Sequence, residues 1–460
     1  MKVIVLSVDA ARPDLVDFYV KEGVMPSLEE MLDRCYVFRE CETTYPPSTA
    51  SAHAAMVTGN LPRRSGITGN LIYAPNASHY YLYSYTISGL DSRSLLSTPI
   101  WKLLQKSLLK QLIIAFPLSW PPLVENTIGG FYNYEGYLHE DEVYLLSTSN
   151  VQDVIQLKQA DNLDIKSKLP PLRAVIQIAR RINGPIFQAI LTSSGDFYDQ
   201  LTLVDSSQKI VLAPGKWSDW LEVKLNGLSG FLRFRFSVLH QDKREVTIRL
   251  VHSEIHGSVV SNLDQCLSRA FEEHAGHFPG VGGAYGFSRG RLTQEEFLEL
   301  LFESHEWVKR ALKFAIENMK WDILWIYTPL LDFLQHAFLG KAFLNRDENA
   351  FRILREGYRR VDEMLNLVKS IEDSDVHVFI ISDHGMSPIR KQLNVNNLLK
   401  SLKLLHIRTD KLHEIDISRS EAFFIEPCHI FLNKHLLKLS LIHISEPTRP
   451  RLISYAVFCL

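Results

Sequence analysis

The 460-residue chain lacks an excess of charge of either sign, any paired-cysteine motif and any long apolar run. Its 50 Lys and Arg residues nearly balance 52 Asp and Glu residues, which argues against a broad nucleic-acid surface. Five scattered cysteines without CxxC spacing indicate neither a disulfide framework nor a zinc ribbon. Because no segment resembles a secretory signal or a bilayer span, we expect a cytoplasmic chain without a membrane partner.

The first third of the chain alternates short β-rich runs with helical patterns. Strands are predicted over residues 3–8 and 112–116, and helices over 27–32 and 49–57. From about residue 185 to residue 256, strand patterns separated by turn-forming residues follow one another. The alternation favours an α/β fold with a mostly parallel central sheet flanked by helices, and the middle stretch indicates a β-rich insertion of the size of a small sandwich.

Two further strands are predicted after helical patterning resumes at Thr293. Residues 321–327 and 376–381 are short continuous apolar runs, which are typical of central parallel strands covered on both faces. The stretch between them, about 348–371, is charged on one side only, as expected for a helix that covers a sheet.

Polar residues follow three of the predicted strands. Asp9 ends the first, Asp332 follows 321–327 with His336 one helical turn later, and Asp383 and His384 follow 376–381. Functional groups of open parallel sheets gather beyond the carboxyl ends of the strands. Carboxylates and imidazoles brought there from several strands predict a metal site.

Each of these features also has a simpler interpretation. An Asp that ends a first strand often caps a helix or binds a ribose, and an Asp-x-x-x-His pair is often a surface pair. Gly385 strengthens the metal interpretation of the Asp383-His384 pair, because glycine permits a tight turn beside a ligand. The combination is more specific than its parts.

The motifs resemble those of the type I phosphodiesterase / nucleotide pyrophosphatase family of the alkaline phosphatase superfamily. Residues 382–386, Ser-Asp-His-Gly-Met, resemble its SDHGM motif, and residues 47–59 resemble its nucleophile segment. Thr49 precedes the Thr58-Gly59 pair by nine residues, as in that family, and Asn70 stands at the position of its phosphate-binding asparagine. His53 also matches the family, whereas Ser65 replaces its usual histidine. The resemblance covers residues 1–130 and 295–433.

The resemblance implies a catalytic nucleophile and two divalent metal ions. Thr49 would be the nucleophile, and Asn70 would bind the substrate phosphate. The ligands of the first ion would be Asp9, Asp383, His384 and the Thr49 oxygen, and those of the second would be Asp332, His336 and a further histidine. Mixed carboxylate and imidazole ligation favours Zn²⁺ and admits Mn²⁺. The alternatives are a capped, alanine-rich core helix at Thr49 and a turn residue at Asn70.

The implied function is hydrolysis of a small-molecule phosphate ester through a phosphothreonine intermediate. A phosphodiester or nucleotide pyrophosphate is favoured over a monoester, since no Lys-x-Arg pair lies between residues 115 and 137, although Arg63 and Arg64 could change that preference. The alternatives within the superfamily are a phosphonate hydrolase, a phosphomonoesterase and a phosphotransferase. A catalytically inactive binding protein is the alternative of another class.

The C-terminal part departs from the family pattern. The family's last metal ligand lies in a Gly-x-His-Gly-like motif, but no glycine follows Gly385, and the remaining histidines lack that context: His406, His413, His429 and His435. Residues 441–460 resemble translated sequencing adapter, so we expect a non-native tail, a missing ligand and little turnover. We predict an alkaline phosphatase-like catalytic core, 1–184 and 291–440, and a β-rich insertion, 185–290.

Overall fold

The structure, a computed structural model, describes residues 2–38, 41–80, 83–131, 136–150, 152–160, 165–242, 245–371, 375–408, 414–426, 428–433 and 436. The chain forms two compact units. The first, unit 1, joins Met1–Glu125 to Trp321–Leu460, and the second, unit 2, is Asn126–Lys320. The segment predicted as an insertion, 185–290, lies within unit 2, whereas the predicted tail, 441–460, lies outside the described residues.

The first part of unit 1 begins with a strand that is followed by short helices. Its elements are β1 (Lys2–Val8), α1 (Pro13–Lys21), α2 (Pro26–Leu32), α3 (Thr49–Thr58), α4 (Pro62–Ser65), β2 (Leu71–Tyr73), β3 (Thr86–Ser88), α5 (Ile100–Leu104) and β4 (Gln111–Ile114). Prolines start α1, α2 and α4, where the missing N–H costs no helical hydrogen bond. The helices predicted over 27–32 and 49–57 are confirmed as α2 and α3.

Unit 2 is mostly β-structure and ends in helices. Its elements are β5 (Thr127–Ile128), β6 (Tyr137–His139), β7 (Glu142–Ser147), β8 (Ile155–Gln156), β9 (Lys158–Gln159), β10 (Leu172–Gln177), β11 (Ile186–Thr192), β12 (Gln200–Val204), β13 (Lys209–Leu212), β14 (Leu221–Leu225), β15 (Leu228–Leu232), β16 (Phe234–Gln241), β17 (Val246–His252), β18 (Ile255–His256), α6 (Gln265–Ala275), α7 (Ala284–Ser288) and α8 (Gln294–Asn318).

Three sheets of unit 2 share one apolar core. Their strand orders are β13-β12-β11-β10-β9, β14-β15-β18-β6 and β16-β17-β7-β8. Phe187 on β11 and Phe234 and Phe236 on β16 are fully buried in this core. The β-rich sequence of residues 231–239 has the pattern of one strand, but the chain passes from one sheet to another at Arg233, so this stretch is divided between β15 and β16.

The second part of unit 1 supplies two more strands of its main sheet. Its elements are β19 (Ile323–Thr328), α9 (Leu330–Asn345), α10 (Glu348–Lys369), β20 (Val376–Ile381), α11 (Val395–Ser401), β21 (Ala422–Phe424) and β22 (Ile430–Leu432). The covering helix predicted over 348–371 is α10, which packs against α9 and α2. No helix among the described residues combines the length and apolarity that a membrane crossing requires.

The main sheet of unit 1 contains parallel strands in the order β20-β1-β19-β4. Val8 at the end of β1 pairs with Thr328 of β19, and Ser7 pairs with Ile381 of β20. The carboxyl ends of these three strands therefore lie side by side at one edge of the sheet. The predicted α/β fold with a mostly parallel, helix-flanked sheet is confirmed.

The strand β20 differs from its expected central position. It ends the sheet, and among the described residues only β1 pairs with it. Phe379 and Ile380 are accordingly exposed, at 55 % and 38 %. The apolar run predicted burial on both faces, but an apolar composition alone does not distinguish a central strand from an edge strand.

Candidate active site

Thr49 is the first residue of α3, at the carboxyl edge of the parallel sheet. Ser48 before it is extended, and its side chain does not cap the helix. Thr49 is buried, and its Oγ1 lies 3.5 Å from Oδ2 of Asp9 and 3.5 Å from Nε2 of His384. The helix start thus directs a hydroxyl toward a carboxylate and an imidazole that come from two different strands.

Asp9 follows β1 and is completely buried. The hydroxyl of Tyr327 donates a hydrogen bond to Oδ2, whereas Oδ1 has no hydrogen-bond partner. Burial raises the pKa of Asp9 well above its ordinary value, and the charges of Asp383 and Asp332 raise it further. A buried carboxylate in this position gains from a nearby cation.

Asp383 and His384 follow β20 directly. The amide of Ala10, which has a left-handed φ of 54°, donates to Asp383 Oδ1 over 3.1 Å. This strained conformation thus holds a carboxylate of the site, a common use of strain at functional positions. His384 directs Nδ1 to the Gly385 carbonyl at 3.0 Å, so donation to this carbonyl leaves a lone pair on Nε2.

The three side chains meet in one group that suits a cation. Donor atoms of Asp9, Asp383 and His384 all lie within 4.8 Å of one another. His384 Nε2 is 3.5 Å from Asp9 Oδ1 and 3.4 Å from Asp383 Oδ2, and neither oxygen has a hydrogen-bond partner. Two unpartnered buried carboxylate oxygens and an imidazole nitrogen are electron-rich atoms in close contact. This donor set fits a divalent metal ion.

Asp332 and His336 lie one turn apart near the start of α9. His336 Nε2 is 3.4 Å from Asp332 Oδ1; the Asp332 side chain is buried, and that of His336 is 68 % exposed. Burial raises the pKa of Asp332. In the part of the chain that the structure describes, no third His, Cys, Asp or Glu forms a comparable group with this pair.

The histidines considered for the missing ligand fall into two groups. His406 and His429 are described, and His429 Nε2 lies 2.8 Å from the Thr68 carbonyl. His413 and His435 lie outside the described residues. Among the described residues, no histidine joins Asp332 and His336 as a third ligand.

Asn70 lies beside the start of α3. Its Oδ1 accepts a hydrogen bond from the Ala50 amide at 3.0 Å, so the side chain is held next to Thr49. The backbone amides of Asn70 and Leu71 donate to the two carboxylate oxygens of Glu426, at 2.8 and 3.2 Å. Burial raises the pKa of Glu426 to about 7. Glu426 thus fixes the backbone that carries Asn70.

Sequence reasoning assigned no role to His53, Tyr327 or Glu426. His53 is fully buried and lies between Thr49 and Ser7, with Nδ1 2.8 Å from the Thr49 carbonyl and Nε2 2.9 Å from Ser7 Oγ. Burial lowers its pKa, which favours the neutral ring. Its match to a family position was the available signal. For Tyr327 the signal was weaker, namely its position near the end of a fully buried strand, and no sequence pattern pointed to Glu426.

Comparison with known proteins is consistent with these motifs. The family model of type I phosphodiesterase / nucleotide pyrophosphatase matches residues 3–162 and 253–433, well over half of the chain. A comparison with curated protein sequences found no match.

Two solved structures of phosphonoacetate hydrolase from Sinorhizobium meliloti 1021 are also similar. They contain phosphonoformate and phosphonoacetate, are each 14% identical to this chain, and have TM-scores of 0.40 and 0.39. The alignments cover 87% of this chain and 62% of each of those chains, so this chain spans less than two thirds of their length. By the family match, the chain belongs to the type I phosphodiesterase / nucleotide pyrophosphatase family.

Proposed function

We propose that this chain hydrolyses phosphate esters through a covalent phosphothreonine at Thr49. The observation that supports it best is the position of the Thr49 hydroxyl, 3.5 Å from Asp9 and 3.5 Å from His384 at the start of a helix. Family membership supports the same class of reaction. A hydroxyl needs activation at neutral pH, and the group of Asp9, Asp383 and His384 is suited to hold the ion that would activate it.

The proposed reaction has two steps, formation of the phosphothreonine and its hydrolysis. In the first, Thr49 Oγ1 forms a bond to phosphorus while the bond from phosphorus to the leaving oxygen breaks, and the hydroxyl proton ends on the leaving alcohol. In the second, water attacks the phosphothreonine, the bond to Oγ1 breaks, and Thr49 regains its proton. A diester would yield an alcohol and a phosphomonoester.

Two divalent ions are part of this proposal. Asp9, Asp383, His384 and the Thr49 oxygen would hold the first, and Asp332 and His336 would contribute to the second. Zn²⁺ fits mixed carboxylate and imidazole ligands better than Mn²⁺ does. When bound, such ions lower the pKa of an attacking hydroxyl and offset the charge of the phosphoryl group.

Asn70 is the residue that we assign to the substrate phosphate. Its Oδ1 is occupied by the Ala50 amide, so Nδ2 is the end of the side chain that remains to donate. A donor beside Thr49 would bind a non-bridging oxygen and become more favourable as negative charge develops there. For the substrate we favour a small phosphodiester or nucleotide pyrophosphate.

The proposal is tested with aryl phosphate mono- and diesters, in added Zn²⁺ or Mn²⁺, on the wild type, Thr49→Ala and Thr49→Ser. We expect slow turnover in the wild type, because the second ion lacks its third ligand, none in Thr49→Ala, and partial activity in Thr49→Ser, which keeps a hydroxyl. Acid quenching followed by peptide mass spectrometry should locate one phosphoryl group on residue 49. Turnover by Thr49→Ala at the wild-type rate would refute the role of Thr49, and metal binding without turnover of any ester would favour the binding-protein alternative.

A further inference from the structure

A second group of metal-ligating side chains lies within unit 2. It contains His139, Glu142 and His252, whose donor atoms all lie within 4.8 Å of one another. His139 ends β6, Glu142 starts β7, and His252 ends β17. Glu142 and His252 are direct partners across the antiparallel pair of β7 and β17. The group is thus built on strand ends rather than on a loose loop.

The orientation of both imidazoles is that of metal ligands. His139 Nδ1 lies 2.8 Å from the Glu140 carbonyl, and His252 Nδ1 lies 2.7 Å from the Ser253 carbonyl. Donation from Nδ1 to a carbonyl fixes the ring and leaves the lone pair on Nε2, as in many zinc sites. Both Nε2 atoms are directed at the carboxylate of Glu142.

The separations also suit an ion between the side chains. His252 Nε2 is 3.4 Å from Glu142 Oε2, and His139 Nε2 is 3.7 Å from Oε1. These distances exceed those of strong charge-assisted hydrogen bonds, about 2.7–2.9 Å. Ligands at about 2.0–2.2 Å from a tetrahedral Zn²⁺ are separated by ~3.3–3.5 Å. The group is therefore near the spacing that such an ion requires.

Glu142 is held in place as a carboxylate. Its Oε2 accepts hydrogen bonds from the Tyr144 hydroxyl and, at 3.0 Å, from the Ala179 amide. The side chain of His252 is fully buried, whereas those of His139 and Glu142 are 13% and 30% exposed. Ions can reach the group from solvent.

We infer that His139, Glu142 and His252 form a binding site for a divalent transition metal, Zn²⁺ by the chemistry of the donors. Two imidazole nitrogens and one carboxylate oxygen leave a fourth tetrahedral position for water. The structural role of such an ion follows from the topology of unit 2. At this place the chain passes from β6 to β7 and from β17 to β18, between the same two sheets. A metal ion held by these three residues would connect the two chain segments that pass between the sheets.

The test uses the full chain with Asp383→Asn, which removes a carboxylate of the candidate active site, after chelation and dialysis. Zn²⁺ binding is measured by calorimetry, and Co²⁺ is used as a spectroscopic probe. We expect one bound ion with the intense visible absorption of four-coordinate Co²⁺, and a Tm that rises with Zn²⁺. Adding His139→Ala should weaken this binding at least about tenfold, change the Co²⁺ spectrum and reduce the rise in Tm at a fixed Zn²⁺ concentration.

His240→Ala is the matched control, because His240 forms an exposed pair with Asp242 in the same unit, and no third His, Cys, Asp or Glu among the described residues joins that pair as a ligand group. It should leave the binding and the spectrum unchanged. If His139→Ala fails to fold, as judged by circular dichroism, Glu142→Gln takes its place, since glutamine keeps an acceptor for the Ala179 amide. Unchanged stoichiometry and spectrum in the folded ligand variant, or no bound ion in Asp383→Asn alone, would overturn the inference.

Discussion

The Tyr327 hydroxyl orients the Asp9 carboxylate, as a residue that would not bind the ion itself. Tyr327 and, at 3.5 Å, Thr49 donate to Oδ2 of Asp9, and Oδ1 has no hydrogen-bond partner, so the shorter bond from Tyr327 contributes most to how the carboxylate is held. Residues that orient ligands in this way contribute strongly to metal affinity although they do not bind the ion.

The variant Tyr327→Phe should therefore keep the packing and lose the orientation. We expect metal affinity, and with it kcat/KM, to fall about 10- to 100-fold. Calorimetric metal titration and steady-state kinetics measure the two effects. Tyr358→Phe makes the same change at a buried tyrosine that does not bond to Asp9, and it should leave metal affinity near the wild-type value. Equal effects of both changes would contradict the argument.

Glu426 links pH to stability. Burial raises its pKa to about 7, from an ordinary value of 4.5. Between about pH 4.5 and about pH 7, the Glu426 carboxyl keeps its proton in the folded state and has lost it in the unfolded state. The folded state therefore binds more protons than the unfolded state. The free energy of unfolding should consequently fall as pH rises from about 4.5 to about 7, by at most about 3 kcal/mol.

The comparison of Glu426→Gln with the wild type isolates this contribution. Urea unfolding at about pH 5 and about pH 8 should give a smaller decrease for the variant, because glutamine does not titrate. Glu273→Gln, at an exposed position on α6, serves as the control and should follow the wild type. An identical decrease in Glu426→Gln would remove Glu426 as the cause.

The hairpin of β2 and β3 reaches the site through a close backbone approach at Gly89. The Gly89 amide donates to the Asn70 carbonyl at 2.8 Å. A Cβ at position 89 would lie 1.9 Å from the Gly69 carbonyl oxygen and 3.1 Å from Ala50 Cβ. This spacing brings the Asn70 segment against the start of α3, and only glycine permits it.

In Gly89→Ala the hairpin must move away from α3, because the obstacle is backbone. We expect a loss of stability of about 1–3 kcal/mol and a fall in kcat/KM as Asn70 is displaced. Gly195→Ala, where an added Cβ meets nothing within 4 Å, should change neither quantity. Chemical denaturation and ester hydrolysis assays distinguish the two, and full activity in Gly89→Ala would show that Asn70 does not depend on this contact.

The strand ends were the most informative part of the sequence. Residues that follow β1 and β20 meet because parallel strands end at one edge of the sheet, so Asp9, Asp383 and His384 could be grouped in advance. The partners Tyr327 and Glu426 could not, since their bonds cross 318 and 356 residues and depend on packing rather than on a local pattern. The edge position of β20 could not be predicted for the same reason, because the composition of a strand does not show which strands pair with it.

For the molecule as a whole, the concentration of buried acidic groups predicts dependence on cations. Burial and the charges of Asp383 and Asp332 raise the pKa of Asp9, and burial raises the pKa of Asp332, within one region of unit 1. Removing bound ions with a chelator should abolish ester hydrolysis and lower the Tm, and added Zn²⁺ or Mn²⁺ should restore both. Activity that persists after exhaustive chelation would contradict metal dependence.

The pairing of β1 with β19 and β20 has a consequence for synthesis on the ribosome. Thr49 is translated early, but its neighbours Asp383 and His384 follow more than 330 residues later. At about 5–20 residues per second, the nascent N-terminal strand waits on the order of tens of seconds for its partners. All of unit 2 is made in this interval. The early strand and its apolar face are thus exposed to chaperones before the site can assemble.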